Sequence, residues 1–594
     1  MNKIFINTII LSFISISLYS QEEKKEELGT EVVNVVKAYN PEVSDAYKIK
    51  LTPENNIGET KKQKLSYETY TTDVASTFKP SKIGAKSQVR EKIEKPFDNY
   101  LILGYGSYRT PLLELYMNNK KVKEQRYGIH VQHLSSEGGI EGVKFNNAFI
   151  NSSIDGFYWK QFKNHQLKTS LNYNYQSINW FGVPKEFISN EIINDLNVGQ
   201  NYKTIEGNIS FVNNGKKGNA IFNSSSLKAY RMTDRYNSHE NRVKADGVFS
   251  IPIEDHKIKI ITEIDFVDSY FNEGIYLKDE IKNKYLNFTL NPSYNFVVEN
   301  ATLNLGIGVY YSADLIGDNN LLRFYPKADV SVNIINDLMI AYGGVDGALR
   351  QNSLQSIVNE MPYVSPTQTI SPTNMRYKYY AGLRGKLASN ITYNTNASFR
   401  NEYGFLNYIY NPAKLSVGDL TPPVLATDAK GWEAANSFSA IQDSVKIFEL
   451  NAGIEYEAIK DLLLSANFRY NIYGSKKFED VYNRPSLMLS ATIEYRFLEN
   501  FTLGTQMYYV GSRNYAQHSS NILSSFEGTA PHIVTKTGGQ LDPYFDLNFN
   551  AGYDISKKFS AFLKLNNILN KNYELYKNYP VQGLQIMAGV GYRF

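Results

Sequence analysis

The chain closes on GLQIMAGVGYRF, residues 583–594, in which Ile586, Ala588, Val590, Tyr592 and Phe594 alternate with Gln585, Met587, Gly589, Gly591 and Arg593. A strand repeats every two residues, so the first set shares one face and the second set the other. One face is oily and ends in an aromatic ring, although the mean hydropathy of the chain is −0.38. The alternation recurs upstream: Leu303, Leu305, Ile307, Val309 and Tyr311 interleave with Thr302, Asn304, Gly306, Gly308 and Tyr310. The stretches Phe448 to Tyr456, Leu464 to Ile472 and Phe545 to Tyr553 repeat it.

A soluble β-sandwich also alternates, but its strands run to about five or six residues. Here the segments run to roughly ten to fifteen, enough to cross a bilayer at a tilt of about 45°. The oily face is therefore expected to meet lipid, with the aromatics Tyr456, Tyr470, Tyr495, Tyr553 and Tyr592 in interfacial girdles. The fold expected is all-β, a transmembrane antiparallel β-barrel of about 22 strands. The connections alternate in length along the chain. Those after even strands are short, as at 163–164, 214–217, 252–256, 334–335, 388–390, 498–500 and 555–558, whereas 180–201, 347–374, 404–444 and 513–540 follow odd strands and are long. The short set is assigned to the periplasm and the long set to the outside. Strand limits within 98–145 stay open.

Three segments follow. Residues 1–20 carry Lys3, an apolar run from Ile4 to Leu18 and Ser20, a secretory signal peptide whose removal leaves Gln21 first. Residues 21–97 open on QEEKKEE, continue basic and poor in apolar side chains, and form a short periplasmic or luminal segment. Residues 98–594 form the barrel. No other run reaches the roughly 18 apolar residues of a membrane helix.

Composition excludes several classes. Among 594 residues there are 46 Tyr, 32 Phe and 3 Trp but no Cys, so no disulfide, thiolate metal site, cysteine nucleophile or thiol-borne lipid anchor is available. A scattered net charge of +4 does not make a nucleic-acid surface. The seven His show no metal-ligand spacing, and His130 and His133, three apart on a strand, face opposite ways. There is no G-x-S-x-G elbow. No catalytic residue, metal or cofactor is expected, and the chain is not read as an enzyme. In GVYY, GYGSYR and GLRGKLA the glycines give room beside large aromatics. The lumen side should carry Glu449, Glu455, Arg469, Glu494, Arg496, Asp546 and Arg593, paired across strands. The long stretches 363–375 and 411–438, the latter with Trp432, are the best places for ligand or partner contact.

The last fifty or so residues resemble the C-terminal end of a TonB-dependent receptor barrel. The resemblance lies in Asn566, Asn567, Ile568, Leu569, Asn570, Lys571 and Tyr573, then Pro580 and Gly583, then Tyr592, Arg593 and Phe594. It implies that Tyr592, Arg593 and Phe594 are the insertion signal read by the barrel assembly machinery, on a strand that closes the barrel against the first. Such receptors carry a plug of well over a hundred residues, and 21–97 is shorter, so the full plug is expected to be missing. Thr30, Glu31, Val32, Val33, Asn34, Val35 and Val36 are similar to the box that pairs with TonB as an added strand. A plain periplasmic strand is the other reading of that window. Three uses remain open: ligand uptake across the outer membrane coupled to TonB or another periplasmic protein; a non-transporting scaffold of an outer-membrane complex, holding surface lipoproteins through its long loops; and an open channel. Substrate and partner are not written in the sequence.

Overall fold

In a computed structural model the described residues are 99–594, apart from 120–123, 188–189, 216–220, 255, 275–278, 336–337, 416–423, 460, 499 and 519–534. The expected segments 1–20 and 21–97, with Thr30 to Val36, lie outside them. The described chain forms one closed antiparallel sheet of 22 strands. The first strand, Tyr100–Gly106, pairs with Thr110–Asn118 on one side and with the last strand, Gln585–Arg593, on the other. Tyr100 lies opposite Arg593 and Gly106 opposite Met587. The ladder continues one step further, where the Phe594 N–H donates to the Asn99 carbonyl at 2.9 Å. No helix among the described residues is long and apolar enough to cross a membrane.

Register assigns the faces. Val243, Phe266 and Leu286 are direct partners on adjacent strands, as are Ala245, Ile264 and Phe288. This face is open to the surroundings, with Ile264 48% and Val590 53% exposed. The opposite face is polar and its charges pair between strands: Arg242 with Asp265 at 2.5 Å, Lys244 with Glu263 at 2.8 Å, Lys327 with Asp346 at 2.7 Å. Three of the lumen residues expected from the sequence also find partners across strands. Glu449 meets Arg400 at 3.4 Å, Arg593 meets Asp554 at 3.4 Å, and Arg469 donates to the Asn451 amide oxygen at 3.1 Å.

At the end where the chain enters, connections are short: 162–164, 299–300, 389–390, 498–500 and 555–558. At the other end run 180–198, 351–372, 411–437, 511–543 and 567–584. An aromatic girdle rims the short-turn end, where Phe501 packs on Tyr553 at 4.4 Å and Phe559 on Tyr592 at 4.8 Å. Tyr470 sits instead toward the long-loop end of Leu462–Ser475. The largest departures from the expected limits are the strands Ile391–Tyr410 and Phe438–Ile459, which extend past 403 and begin before 445. Their upper parts are covered on both faces, with Phe438, Ala440, Val445 and Ile447 all buried, so the two-residue alternation that marks a lipid-facing strand is lost. The segment 98–145 resolves into three strands, Tyr100–Gly106, Thr110–Asn118 and Gln125–Ser136.

The glycines do what their spacing implies. Gly104 and Gly589 are direct partners at the closing seam, and a Cβ on Gly589 would sit 2.3 Å from the Phe562 ring. Phe562, partner of Gly589 on the next strand, therefore lies across the seam. Gly382 is covered in the same way by Tyr342 and Gly308 by Tyr310. Replacing Gly589 by Leu should overpack the seam by about 1–3 kcal/mol and lower the folded fraction on a heat-modifiability gel. Adding Phe562→Ala should recover part of that loss; no recovery would separate the two residues.

Candidate functional site: the bridged outer mouth

The main apolar core of the described chain lies in the long loops at the outer end. It gathers Ile140 and Phe145 from 137–148, Trp180, Phe181 and Val183 from 180–198, Leu354, Ile357, Val358 and Met361 from 351–372, Trp432 and Ala434 from 411–437, and Tyr579 from 567–584. A ring of 22 strands has a diameter on the order of 40 Å. Loops 180–198 and 411–437 leave the ring close to half-way round from each other, and yet they meet. The loops thus cross the mouth.

The join is specific. Trp180 and Trp432 are 0% and 1% exposed. The fully buried Asn436 donates from one amide nitrogen to the Trp180 carbonyl at 2.6 Å and to the Gly431 carbonyl at 2.7 Å. Gly431 runs against the other loop's backbone so closely that a Cβ there would lie 1.8 Å from the Asn197 carbonyl oxygen. Tyr579 fills the centre, stacked on Tyr363 with ring centroids 3.9 Å apart, packed on Phe181 at 4.8 Å and donating its hydroxyl to the Asn436 carbonyl. Loop 567–584 is shaped for this by the asparagines of the C-terminal motif. Asn567 and Asn570 both take a φ of 47°, which Asn tolerates better than most residues, and Asn567 exchanges hydrogen bonds with the Lys571 backbone.

Loop 351–372 forms a bar fixed at both ends. Its helix, Leu354–Glu360, starts at the N-cap Ser353 in a capping box with Ser356. The N-terminal N–H groups of Leu354 and Gln355 donate to the carboxylate of Glu240 at 2.6 and 3.2 Å. Glu240, 0% exposed, belongs to the wall strand His239–Ile253 and also accepts from the hydroxyls of Tyr230 at 2.7 Å and Ser269 at 2.6 Å. A negative charge at the positive end of a helix suits the helix dipole, and four donors replace the water it loses. At the other end Glu360 accepts from the Tyr408 hydroxyl at 3.1 Å and pairs with Arg484.

Beyond the helix, the polar stretch Tyr363 to Met375 is largely buried. Gln368 donates to the Ser365 carbonyl at 2.8 Å and accepts from the Ala440 N–H at 2.8 Å, while Asn283 of the wall meets the backbone at Gln368 and Ile370. These side chains are polar because they satisfy loop backbone away from water. At the cap's rim Glu433 is part-buried near Lys414 at 3.8 Å, and burial raises its carboxyl above the usual range.

No family model matches the sequence, and no curated protein matches it. Solved structures do. The pyoverdine outer membrane receptor FpvA of Pseudomonas aeruginosa bound to pyoverdine aligns with a TM-score of 0.56 at 15% identity, over 84% of this chain and 78% of that one. The FrpB iron transporter of Neisseria meningitidis aligns at 0.59 and 11% identity, over 84% and 82%. The copper transporter OprC aligns at 0.56 and 12%, over 84% and 81%. The fold is that of a TonB-dependent receptor barrel. At these identities the likeness carries the fold and not the ligand, and the neighbours are by description a receptor and two transporters.

In this receptor-type barrel the sequence-predicted residues fall in two places. Tyr592 and Arg593 lie in the closing strand and Phe594 extends its ladder, far from the mouth. Trp432 and the described parts of the stretches 363–375 and 411–438 come together in the cap. His130 contacts Glu114 at 3.2 Å and His133 contacts Ser152 at 2.8 Å, on opposite faces of one strand. Glu240 carries no sequence signal, since a lone acid at a strand start looks like any other wall residue.

Glu240→Ala would strand two N–H groups and two hydroxyls, a cost of about 2–4 kcal/mol to the bar. Amide exchange across 354–360 should rise strongly while the barrel strands stay protected; unchanged exchange would show that Glu240 does not hold the helix. Gly431→Val meets backbone that cannot move aside, so the outer loops should become protease-sensitive with the barrel's gel mobility intact.

Proposed function

We propose that this chain is an outer-membrane receptor-type barrel that takes up a ligand through a mouth closed by its own loops. The observation that carries this reading is the loop bar spanning the mouth, tied to the wall by hydrogen bonds to one carboxylate. A passive channel of this width would leave the membrane permeable, whereas contacts of this kind can be exchanged for contacts to a ligand. In this reading residues 1–20 are a removed leader, the barrel assembly machinery reads Tyr592, Arg593 and Phe594, and Thr30 to Val36 pair with TonB or another periplasmic protein. Outer-membrane lipid surrounds the wall.

One observation favours the scaffold reading. The cap core is close-packed around Trp180, Trp432 and Tyr579, as a permanent seal would be. In that case the loops hold a surface lipoprotein and nothing passes.

Planar-bilayer conductance distinguishes these readings. The wild-type protein, Glu240→Ala and a variant lacking 21–97 are compared. Uptake through a gated mouth predicts a closed wild type, with openings that appear when the bar is freed and 21–97 is removed. A chain that stays closed in every variant supports the scaffold, and steady large conductance in the wild type overturns both. Deleting Thr30 to Val36 should abolish growth on the transported nutrient; loss only of a co-purifying partner would point to the scaffold.

A further inference from the structure

Above the apolar band, the outward face of five adjacent strands turns cationic. The strands are Gly199–Asn213, Phe222–Asp234, His239–Ile253, His256–Phe271 and Ile281–Val298. Their register forms a row of direct partners near the long-loop end: Lys203, Thr233, His239, Tyr270 and Lys282. The row beneath it is Ile205, Arg231, Asn241, Asp268 and Lys284. Below these the same face becomes apolar at once, with Ala229, Val243, Phe266 and Leu286 aligned and then Leu227, Ala245, Ile264 and Phe288.

Four Lys and Arg therefore stand at the edge of the hydrocarbon zone against two carboxylates. Lys284 is 3.3 Å from Asp268, and Lys282 is 2.7 Å from Glu280. Both ammonium groups also lie over rings, Lys282 above Tyr270 and Lys284 above Phe266, each 5.8 Å from the centroid, so their stems run along the apolar surface with the charge at its upper margin. Arg231 is exposed and donates to the Asn241 amide oxygen at 2.9 Å. Lys203 is exposed, and among the described residues no carboxylate pairs with it. On the opposite wall the corresponding outward row is apolar, with Leu489, Tyr509 and Phe545 as partners.

We infer that this face binds the phosphorylated headgroup of an outer-leaflet lipid, with Lys203 and Arg231 at one end of the headgroup, Lys282 and Lys284 at the other, about four strand spacings away, and the acyl chains on the rows of Val243 and Ile264. The surplus positive charge matches a phosphate monoester, which carries about −1.5 to −2 at neutral pH. The commitment to a lipid comes from continuity: the cations border a surface that only hydrocarbon covers, so headgroup and chains are met by one patch. Lys282 and Lys284 keep their carboxylate neighbours, which hold them in place, while Lys203 and Arg231 supply the uncompensated charge.

The test uses the full-length protein in phosphatidylcholine nanodiscs, with and without diphosphorylated lipid A, and again with the same lipid after its phosphates are removed. Bound lipid per barrel is read by native mass spectrometry and barrel stability by the temperature of heat-induced gel shift. The wild type should retain the phosphorylated lipid and melt higher with it than with the dephosphorylated form. In Lys203→Ala/Arg231→Ala/Lys282→Ala/Lys284→Ala the retained amount should fall at least about fivefold, since each cation near an anionic surface contributes about that factor. Lys446→Ala, on the other wall, should change nothing. Equal binding of the dephosphorylated lipid by the wild type overturns the inference without recourse to any variant. So does full retention in the quadruple variant, or equal stabilisation by inorganic phosphate alone, which would make the ligand a free anion.

Discussion

Backbone amides in hydrocarbon have no water to turn to, so each must find a carbonyl on a neighbouring strand, and an open sheet would leave two rows unmatched. The pairing of Gln585–Arg593 with Tyr100–Gly106 removes those edges. Everything else depends on it. Closure fixes an inside and an outside, brings both ends of the described chain to one rim, and sends the long loops to the other. Gly104 and Gly589 face each other at the seam, and Phe562 covers both. A closing strand with bulky inward residues would compete with that ring for the same space.

With the ring closed, two solvents act on each strand. The outward rows meet lipid and stay apolar, and the inward rows carry charges that neutralise one another, as Arg400 does with Glu449 on the next strand and with Glu402 along its own. Below its upper rim, where Phe405, Val445 and Ile447 cluster, neither face supplies a conventional core. The barrel's close-packed apolar core is built instead from loops at the outer mouth, where water is available and burial of Trp180, Trp432 and Tyr579 is worth something. The stability of the cap is therefore separable from that of the barrel. A cap held by Glu240 and by loop-to-loop packing can yield while the wall stays intact, as a gate requires. The same packing also suits a fixed seal, and the two uses differ in whether the bar at Leu354–Glu360 ever leaves Glu240.

The strands were legible because lipid enforces a strict period of two. Where that enforcement stops, the reading loses its edge: Phe438 to Val445 is strand but is covered on both faces, so its pattern no longer alternates. The loops were legible only as long. Trp432 stood out as a large side chain in a polar stretch, and Gly431 beside it gave no sign that it lies against the backbone of Asn197. Ser365, Thr367 and Gln368 look like solvated loop residues, but Ser365 and Gln368 serve buried backbone and Thr367 pairs with the Ser365 hydroxyl.

Local chemistry in the sequence thus determined the all-β barrel, its strand number and the alternation of short and long connections, because each follows from a period or a length that neighbouring residues share; the place of the C-terminal strand at the seam was implied instead by the resemblance of its last residues to a receptor barrel. The tertiary structure alone decided that loops from opposite walls meet over the mouth, that Glu240 takes the end of a helix more than a hundred residues away in the chain, and that Lys203, Arg231, Lys282 and Lys284 form one patch. These are contacts between segments whose separation along the chain carries no periodic signal, and only the registered, closed sheet sets them side by side.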